Sequence, residues 1–188
     1  MKKQPELTAR TRQNLIDAFW SLYSTKRIEQ ITVKEITQRA GYNRATFYEY
    51  FTDVYDLLEQ IERSLMPTMD TLPPIQPDPA AVPASLYAFV QLYVENSKYY
   101  TVLLGDHGDA AFQSRLKNSI KPMLIQALSN RSRADRFELD FTLEFVLAGM
   151  IGVLGHWFRQ ENPPPIERLV ELMYSLMQEG VAKRLIAE

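Results

Sequence analysis

Three helix-boundary signals crowd into the stretch from Thr32 to Asn43 of this 188-residue chain, and together they leave the backbone little choice. Thr32 and Glu35 stand at the Thr-x-x-Glu spacing of a capping box, in which the threonine hydroxyl accepts from the Glu35 amide and the Glu35 carboxylate reaches back. The helix they open carries Val33, Ile36 and Ala40. It stops at Gly41, the residue type best suited to the left-handed conformation at a helix end. Asn43 is a good N-cap for a second, shorter helix, expected from Arg44 to Tyr50. A capped helix, a short turn holding glycine and a second short helix form the helix-turn-helix pattern.

The same 3.6-residue logic runs through the rest of the chain. Leu15, Ile16, Phe19, Leu22 and Tyr23 make the apolar stripe of a first helix, and Asp53 caps a fourth bearing Val54, Leu57, Leu58, Ile61 and Leu65. Strand signals are nearly absent, so the expected fold is all-α. Six prolines between Pro67 and Pro83 forbid continued helix there, which makes 67–83 a linker or extended loop. Beyond it, helices are expected at about 82–96, 98–104, 109–129, 135–160 and 165–186. Gly149, Gly152 and Gly155 follow one another at intervals of three inside the fourth of these. Each interior glycine costs about 1 kcal/mol against alanine, and close approach of another helix is the expected compensation. The resulting division is a helix-turn-helix head over 1–66, the linker, and a larger helical domain over 84–188.

Charge separates head from body. Through Tyr50 there are nine bases and five acids, a net +4, whereas the whole chain carries −2, so the remainder holds −6. A basic head on an acidic body suits a polyanionic partner for the head alone. On the second short helix Phe47 and Phe51, four apart, must face inward. Ala45 and Glu49 then point most directly outward, with Thr46 and Tyr48 on the flanks and Arg44 at the amino end. Arg44 suits guanine or a phosphate, and Ala45 suits a thymine methyl. Thr46, Tyr48 and Tyr50 offer hydroxyls to phosphate oxygens, and the amides at Thr32 and at the start of the second helix favour phosphate as well. Glu49 is either an acceptor for a cytosine amino group or a residue turned to solvent.

At these residues the chain resembles a known family. "ITVKEITQRAGYNRATFYEYFTDVYDLL", Ile31 to Leu58, is similar to the DNA-binding signature of the TetR family of bacterial transcriptional regulators. The matching positions are Thr32-Val33 and Ile36, then Ala40 to Asn43, Thr46-Phe47-Tyr48, Tyr50-Phe51 and Asp56-Leu57. The resemblance implies a three-helix head on a larger helical body that dimerises through its last two long helices. It also implies a set of DNA contacts, here Thr32, Lys34, Tyr42, Asn43, Arg44, Ala45, Thr46, Tyr48, Glu49 and Tyr50. Two positions depart from the signature. Tyr50 stands where histidine is usual, and Val54 replaces a lysine often found there, which removes one phosphate contact. The body, in "YYTVLLGDHGDAAF" and "GMIGVLGHWF", is similar to a TetR subgroup common in Gram-positive bacteria.

For the body two roles are expected. Tyr93, Phe112, Phe145 and His156 are candidate contacts for a small apolar or aromatic effector, although most aromatics at helical spacing serve as core. Gly149, Gly152, Val153 and Trp157, with Leu169, Leu172, Met173 and Leu176, are the candidate surface for an intersubunit four-helix bundle. The expected protein is therefore a homodimeric repressor that binds a palindromic operator in double-stranded DNA and is released by the effector. A DNA-tethered adaptor, recruiting another protein and binding no small molecule, is the alternative. No catalytic motif is visible, so no enzyme activity and no cofactor are expected. His107, between Asp106 and Asp109, reads as turn chemistry and not as a metal ligand. The chain holds no cysteine, its first residues read as no signal peptide, and its uncharged apolar run from Phe145 to Phe158 has 14 residues where a bilayer span needs about 18. A cytoplasmic protein without membrane contact is expected.

Overall fold

The computed structural model describes residues 5–68, 84–105, 108–128 and 135–179, and among them all regular structure is helical. The chain divides into two compact units, Met1–Leu65 and Met66–Glu188. Most of the proline-rich segment, from residue 69 to 83, lies outside the described residues, as do Asp106, His107 and the last nine positions.

The first unit holds α1 (Pro5–Tyr23), a 3-10 turn (Ile28–Gln30), α2 (Val33–Ala40), α3 (Arg44–Tyr48) and α4 (Val54–Ser64). Its core is built from the residues whose spacing announced it. Leu15, Phe19, Ile36, Phe47 and Leu57 are completely buried, and Ile16, Phe51, Val54 and Ile61 nearly so. Each boundary is chemically specified. Thr32 Oγ1 accepts from the Glu35 amide at 3.3 Å while the Thr32 amide donates to Glu35 Oε2 at 3.0 Å. Gly41 ends α2 at φ +76°, and the Tyr42 amide reaches back to Thr37 O at 2.9 Å, which satisfies a carbonyl the helix would otherwise leave open. Asp53 Oδ1 accepts from the Asp56 amide at 2.8 Å and starts α4.

One expectation is corrected in this unit. The second helix of the motif ends at Tyr48 and does not continue to Tyr50. The amides of Tyr50 and Phe51 both donate to Phe47 O, at 3.0 Å each, so the last turn tightens there. Phe51 is thereby turned into the core before Asp53 begins the next helix.

The second unit holds α5 (Ala84–Glu95), α6 (Ser97–Leu103), α7 (Ala110–Leu128), α8 (Arg136–Phe158) and α9 (Ile166–Glu179). Here α7 packs on α8, α8 on α6, α6 on α5, and α5 on α9. An aromatic column joins three of them: Phe89 and Tyr93 of α5 lie 4.9 Å apart, Tyr93 stacks on Tyr100 of α6 at 4.2 Å, and Tyr100 lies 6.1 Å from Phe112 of α7. The α7 helix runs through Pro122, a residue that costs a helix interior about 3 kcal/mol. Next to it Lys121 pairs with Asp140 at 2.9 Å and Glu144 at 3.1 Å, and Lys117 also pairs with Glu144. These pairs tie α7 to α8 over the turn that leads into the proline. Hydrogen bonds from Lys117 and Lys121 hold the Glu144 carboxyl below its ordinary pKa.

The three glycines of α8 do not form one face. A Cβ on Gly155 would lie 3.3 Å from Leu104 O, so that glycine permits the close approach of α8 to the end of α6. At Gly149 and Gly152 nothing lies within 4 Å. Steps of three residues rotate 60° short of a full turn, which carries the series around the helix.

Candidate nucleic-acid interface

The short α3 helix is held from both sides. From below, Phe47 is completely buried and its ring lies 5.4 Å from that of Phe51. From the side, Arg12 of α1 donates to Gln60 Oε1 at 2.8 Å, and Gln60 Nε2 donates to Tyr50 O at 3.3 Å. The Arg12 guanidinium also sits 5.6 Å over the Phe51 ring. At the amino end Asn43 Oδ1 accepts from the Thr46 amide at 2.9 Å and from Thr46 Oγ1 at 3.2 Å. A five-residue helix is too short to persist alone, so these external ties are what make it a rigid platform.

What the platform presents is the opposite face. Arg44, Ala45, Tyr48 and Glu49 are exposed, and Thr46 and Tyr50 are half-buried. Tyr48 leaves 58% of its surface in solvent, an unusual amount for an aromatic. Among the described residues the side chains of Arg44, Lys34 and Arg27 make no hydrogen bond or ion pair, whereas those of Arg12, Lys26 and Arg39 are engaged by Gln60, Glu35 and Ser21. Part of the head's positive charge thus holds the fold together, and the remainder faces outward.

Several expected contacts are placed differently from a simple outward display. Tyr42 is half-buried, and its hydroxyl accepts from Asn14 Nδ2 of α1 at 3.0 Å. Hydrogen bonds with Thr11 and Asn14 draw its pKa below the ordinary tyrosine value. The ring thus locks the turn onto α1. Asn43 gives its carbonyl oxygen to the cap. The Thr32 amide, expected to favour phosphate, already donates to Glu35, whose carboxyl is held down to about 2 by hydrogen bonds from Lys26 and Thr32. A phosphate there would have to displace a carboxylate. Lys34 is exposed two residues on, and its side chain is unengaged.

Two residues of α4 complete the surface description. Val54 is only 7% exposed, so the missing lysine is replaced by a core side chain and not by a neutral surface residue. Next to it Tyr55 is 57% exposed. Sequence reasoning passed over Tyr55, and its one signal was an aromatic out of register with the Val54, Leu57, Leu58, Ile61 stripe.

In the body the four candidate effector contacts are not brought together. Tyr93 and Phe112 are completely buried in the aromatic column, but Phe145 is 74% exposed and His156 lies on the surface of α8. The reason is the angle at which α8 packs: Leu143, Leu147, Ile151 and Leu154 face inward, which turns Phe145 and His156 away. Tyr93 Oη is buried with no hydrogen-bond partner, and desolvation pushes its pKa well up. The candidate dimer residues divide in the same way. Gly149, Gly152 and Leu172 are exposed, and Val153, Trp157 and Leu176 are half-buried. Leu169 and Met173 are buried within the chain on α9, which packs on α5. The Trp157 indole donates to Pro164 O at 2.9 Å and fastens the turn before α9. Among the described residues no group of acids or histidines is arranged to hold a metal ion, and no helix is long and apolar enough to cross a membrane.

Comparison with known proteins agrees with this architecture. Residues 15–61 match the family described as bacterial regulatory proteins, tetR family, and residues 83–179 match a transcriptional regulator C-terminal region assigned to TetR proteins. No curated protein matches the chain. Among solved structures, a TetR transcriptional regulator from Streptococcus agalactiae is 20% identical with a TM-score of 0.66, covering 91% of this chain and 95% of its own. The dihydroxyacetone kinase operon activator DhaS is 21% identical with a TM-score of 0.60, covering 91% and 96%. The fatty acid degradation regulator FadR from Bacillus halodurans is 14% identical with a TM-score of 0.63, covering 96% and 98%. At these identities the likeness is one of fold. Matched over both of its units, the chain belongs to the TetR family of bacterial regulatory proteins and is a DNA-binding transcriptional regulator.

Proposed function

We propose that the protein is a homodimeric repressor whose two α3 helices enter successive major grooves of an inverted-repeat operator. The observation that carries this reading is the exposed surface of α3, where Ala45 faces away from the buried Phe47, Tyr48 stands on the flank and the unengaged Arg44 side chain stands at the amino end. Arg44 reads guanine or anchors a phosphate, Ala45 meets a thymine methyl, and the hydroxyl of Tyr48 binds the backbone. Lys34 and Tyr55 lie on the flanking helices and add backbone contacts. Two half-sites on one face of the duplex require the α3 helices about 34–36 Å apart.

Release by a small effector is the second part of the proposal. An unpartnered buried hydroxyl costs about 1–3 kcal/mol, and Tyr93 Oη is such a group within an aromatic wall that includes Tyr100 and Phe112. A small aromatic or apolar molecule with one polar atom answers both features. Phe145 and His156 take no part in that site.

The test is to incubate the protein with fragmented host DNA and sequence what it retains, beside an Arg44→Ala/Tyr48→Ala double variant. A palindromic motif lost in the double variant is the expected result. Retention without a common motif, equal for both proteins, overturns recognition by α3. Because DhaS is an operon activator, transcription from the recovered site decides the sign. Repression requires promoter activity to rise when the protein is removed.

A further inference from the structure

The amino-terminal half of α1 carries the next inference, which rests on the reading that α3 enters the major groove. Arg10 is exposed, and among the described residues its side chain makes no hydrogen bond or ion pair. Glu6, one turn before it, is exposed as well and does not pair with it. Leu7, Arg10 and Asn14 share an arc of about 60° on α1, and Arg10 stands about 6 Å before Asn14 along the axis. Asn14 Nδ2 donates to the Tyr42 hydroxyl at 3.0 Å, and Tyr42 immediately precedes Asn43, the cap of α3. Hydrogen bonds with Thr11 and Asn14 and, after them, the charge of Arg10 draw the Tyr42 hydroxyl below its ordinary pKa. The guanidinium therefore stands near the turn from which α3 starts.

The other arginine of this half of α1 is used differently. Arg12 lies about 160° around the helix from Arg10, where it donates to Gln60 and sits over the Phe51 ring. Gln60 in turn holds Tyr50 O, just past the end of α3. So α1 spends one arginine on the fold at the carboxy end of α3 and leaves the other unengaged at its amino end.

The positive charge around α3 is correspondingly uneven. Lys34 on α2 and Arg44 on α3 have exposed, unengaged side chains. The first turn of α4 bears Asp56 and no cation, and its Val54 is buried, so α4 offers no charge to a phosphate there. A guanidinium matches the geometry of two phosphate oxygens, and such a contact fixes register without reading sequence. We infer that Arg10 holds a phosphate of the DNA backbone beside the amino end of α3, a contact made from α1 and additional to Arg44. The bond between Asn14 and Tyr42 fixes α1 on the turn and so sets Arg10 in place relative to the recognition helix.

The test is the salt dependence of binding by the full-length protein to a short DNA duplex of mixed sequence, read by fluorescence anisotropy. Each phosphate contact contributes about 0.9 to the slope of log affinity against log salt. Arg10→Gln is expected to lower that slope by about 1. Its affinity deficit against wild type then shrinks about threefold between roughly 50 and 200 mM salt. Arg10→Lys, which keeps the charge, is expected to retain the wild-type slope. Lys98→Gln removes the same charge from an exposed position on α6 of the body and is expected to leave the slope unchanged. All three variants should melt at the wild-type Tm, because neither side chain packs in the core. A wild-type slope in Arg10→Gln, an equal fall in Lys98→Gln, or Arg10→Lys as shallow as Arg10→Gln overturns the contact. Arg10→Gln should also recover the wild-type motif from fragmented DNA, and a changed motif overturns the assignment to phosphate. If Arg44→Ala/Tyr48→Ala loses the motif while Arg10→Gln keeps the wild-type slope, α3 stands and Arg10 alone falls.

Discussion

The α3 platform and α8 handle exposed aromatic surface in opposite ways. In the head, α2, α3 and α4 are short, each is started by a capping side chain, and exposed Tyr48 stands over a buried Phe47. In the body, α8 runs for 23 residues and bears no acid, lysine or arginine from Phe145 on, with its capping box at Asp135 and Glu138 and three phenylalanines at four-residue steps on its outer arc. A tyrosine beside an arginine suits a polar, charged partner. A neutral phenylalanine row suits an apolar one. The difference teaches that exposure alone says little about function, and that the polarity of the surrounding face identifies the partner.

The sharpest way to break this contrast is to exchange large for small on both surfaces. Phe47→Ala removes a fully buried ring and is expected to cost about 3–5 kcal/mol, with DNA binding lost, measured by urea unfolding and by fluorescence anisotropy on operator DNA. Phe141→Ala, on an exposed position, is expected to leave the stability of the single chain within about 0.5 kcal/mol and to act only on association. Equal losses at the two positions would show that the outer arc of α8 is buried within one chain.

A smaller effect tests the caps. Asn43→Ala deletes the acceptor for the Thr46 amide and hydroxyl and is expected to cost about 1 kcal/mol. DNA affinity should fall with it, because Arg44 and Tyr48 are presented by the helix that Asn43 starts. Unchanged affinity at reduced stability would mean that α3 is positioned wholly by Phe47, Phe51 and the Arg12–Gln60 bridge.

The smallest expected effect is one of pH. Glu35 is lowered from 4.5 to about 2 by Lys26 and by Thr32. A carboxylate with a depressed folded pKa contributes stability that is present above its ordinary value and lost as pH falls through the folded one. The contribution therefore disappears between about pH 4.5 and 2. Glu35→Gln should flatten that part of the stability profile of the head while leaving neutral-pH DNA binding intact, since Glu35 faces Lys26 and the cap and not the outer face of α3.

Much of the head was legible in the sequence because its decisive interactions are local. Thr32 with Glu35, Gly41, Asn43 with Thr46, and Asp53 with Asp56 all act within four residues. The inward direction of Phe47 and Phe51 followed from their spacing. Tyr42 was not legible in this way, since its partner Asn14 lies 28 positions away. The early end of α3 was missed for a related reason. The turn at Tyr50 is set by the need of Phe51 to enter the core and by the Gln60 side chain that holds Tyr50 O.

The body shows the limit more plainly. From Phe145 on, α8 is apolar all round and satisfies the same periodicity in any rotation, so residue spacing could not say which arc of it would face inward. Packing on α6 and α7 made that choice. It buried Leu143, Leu147, Ile151 and Leu154, placed Gly155 against Leu104, and left Phe137, Phe141, Phe145 and Gly152 outside. The sequence by itself determined the helices, their ends and the helix-turn-helix, because backbone capping and 3.6-residue periodicity are short-range. Only the tertiary structure decided which tyrosine locks a turn, which hydroxyl is buried without a partner and which glycine is left open, because those depend on contacts between segments distant along the chain.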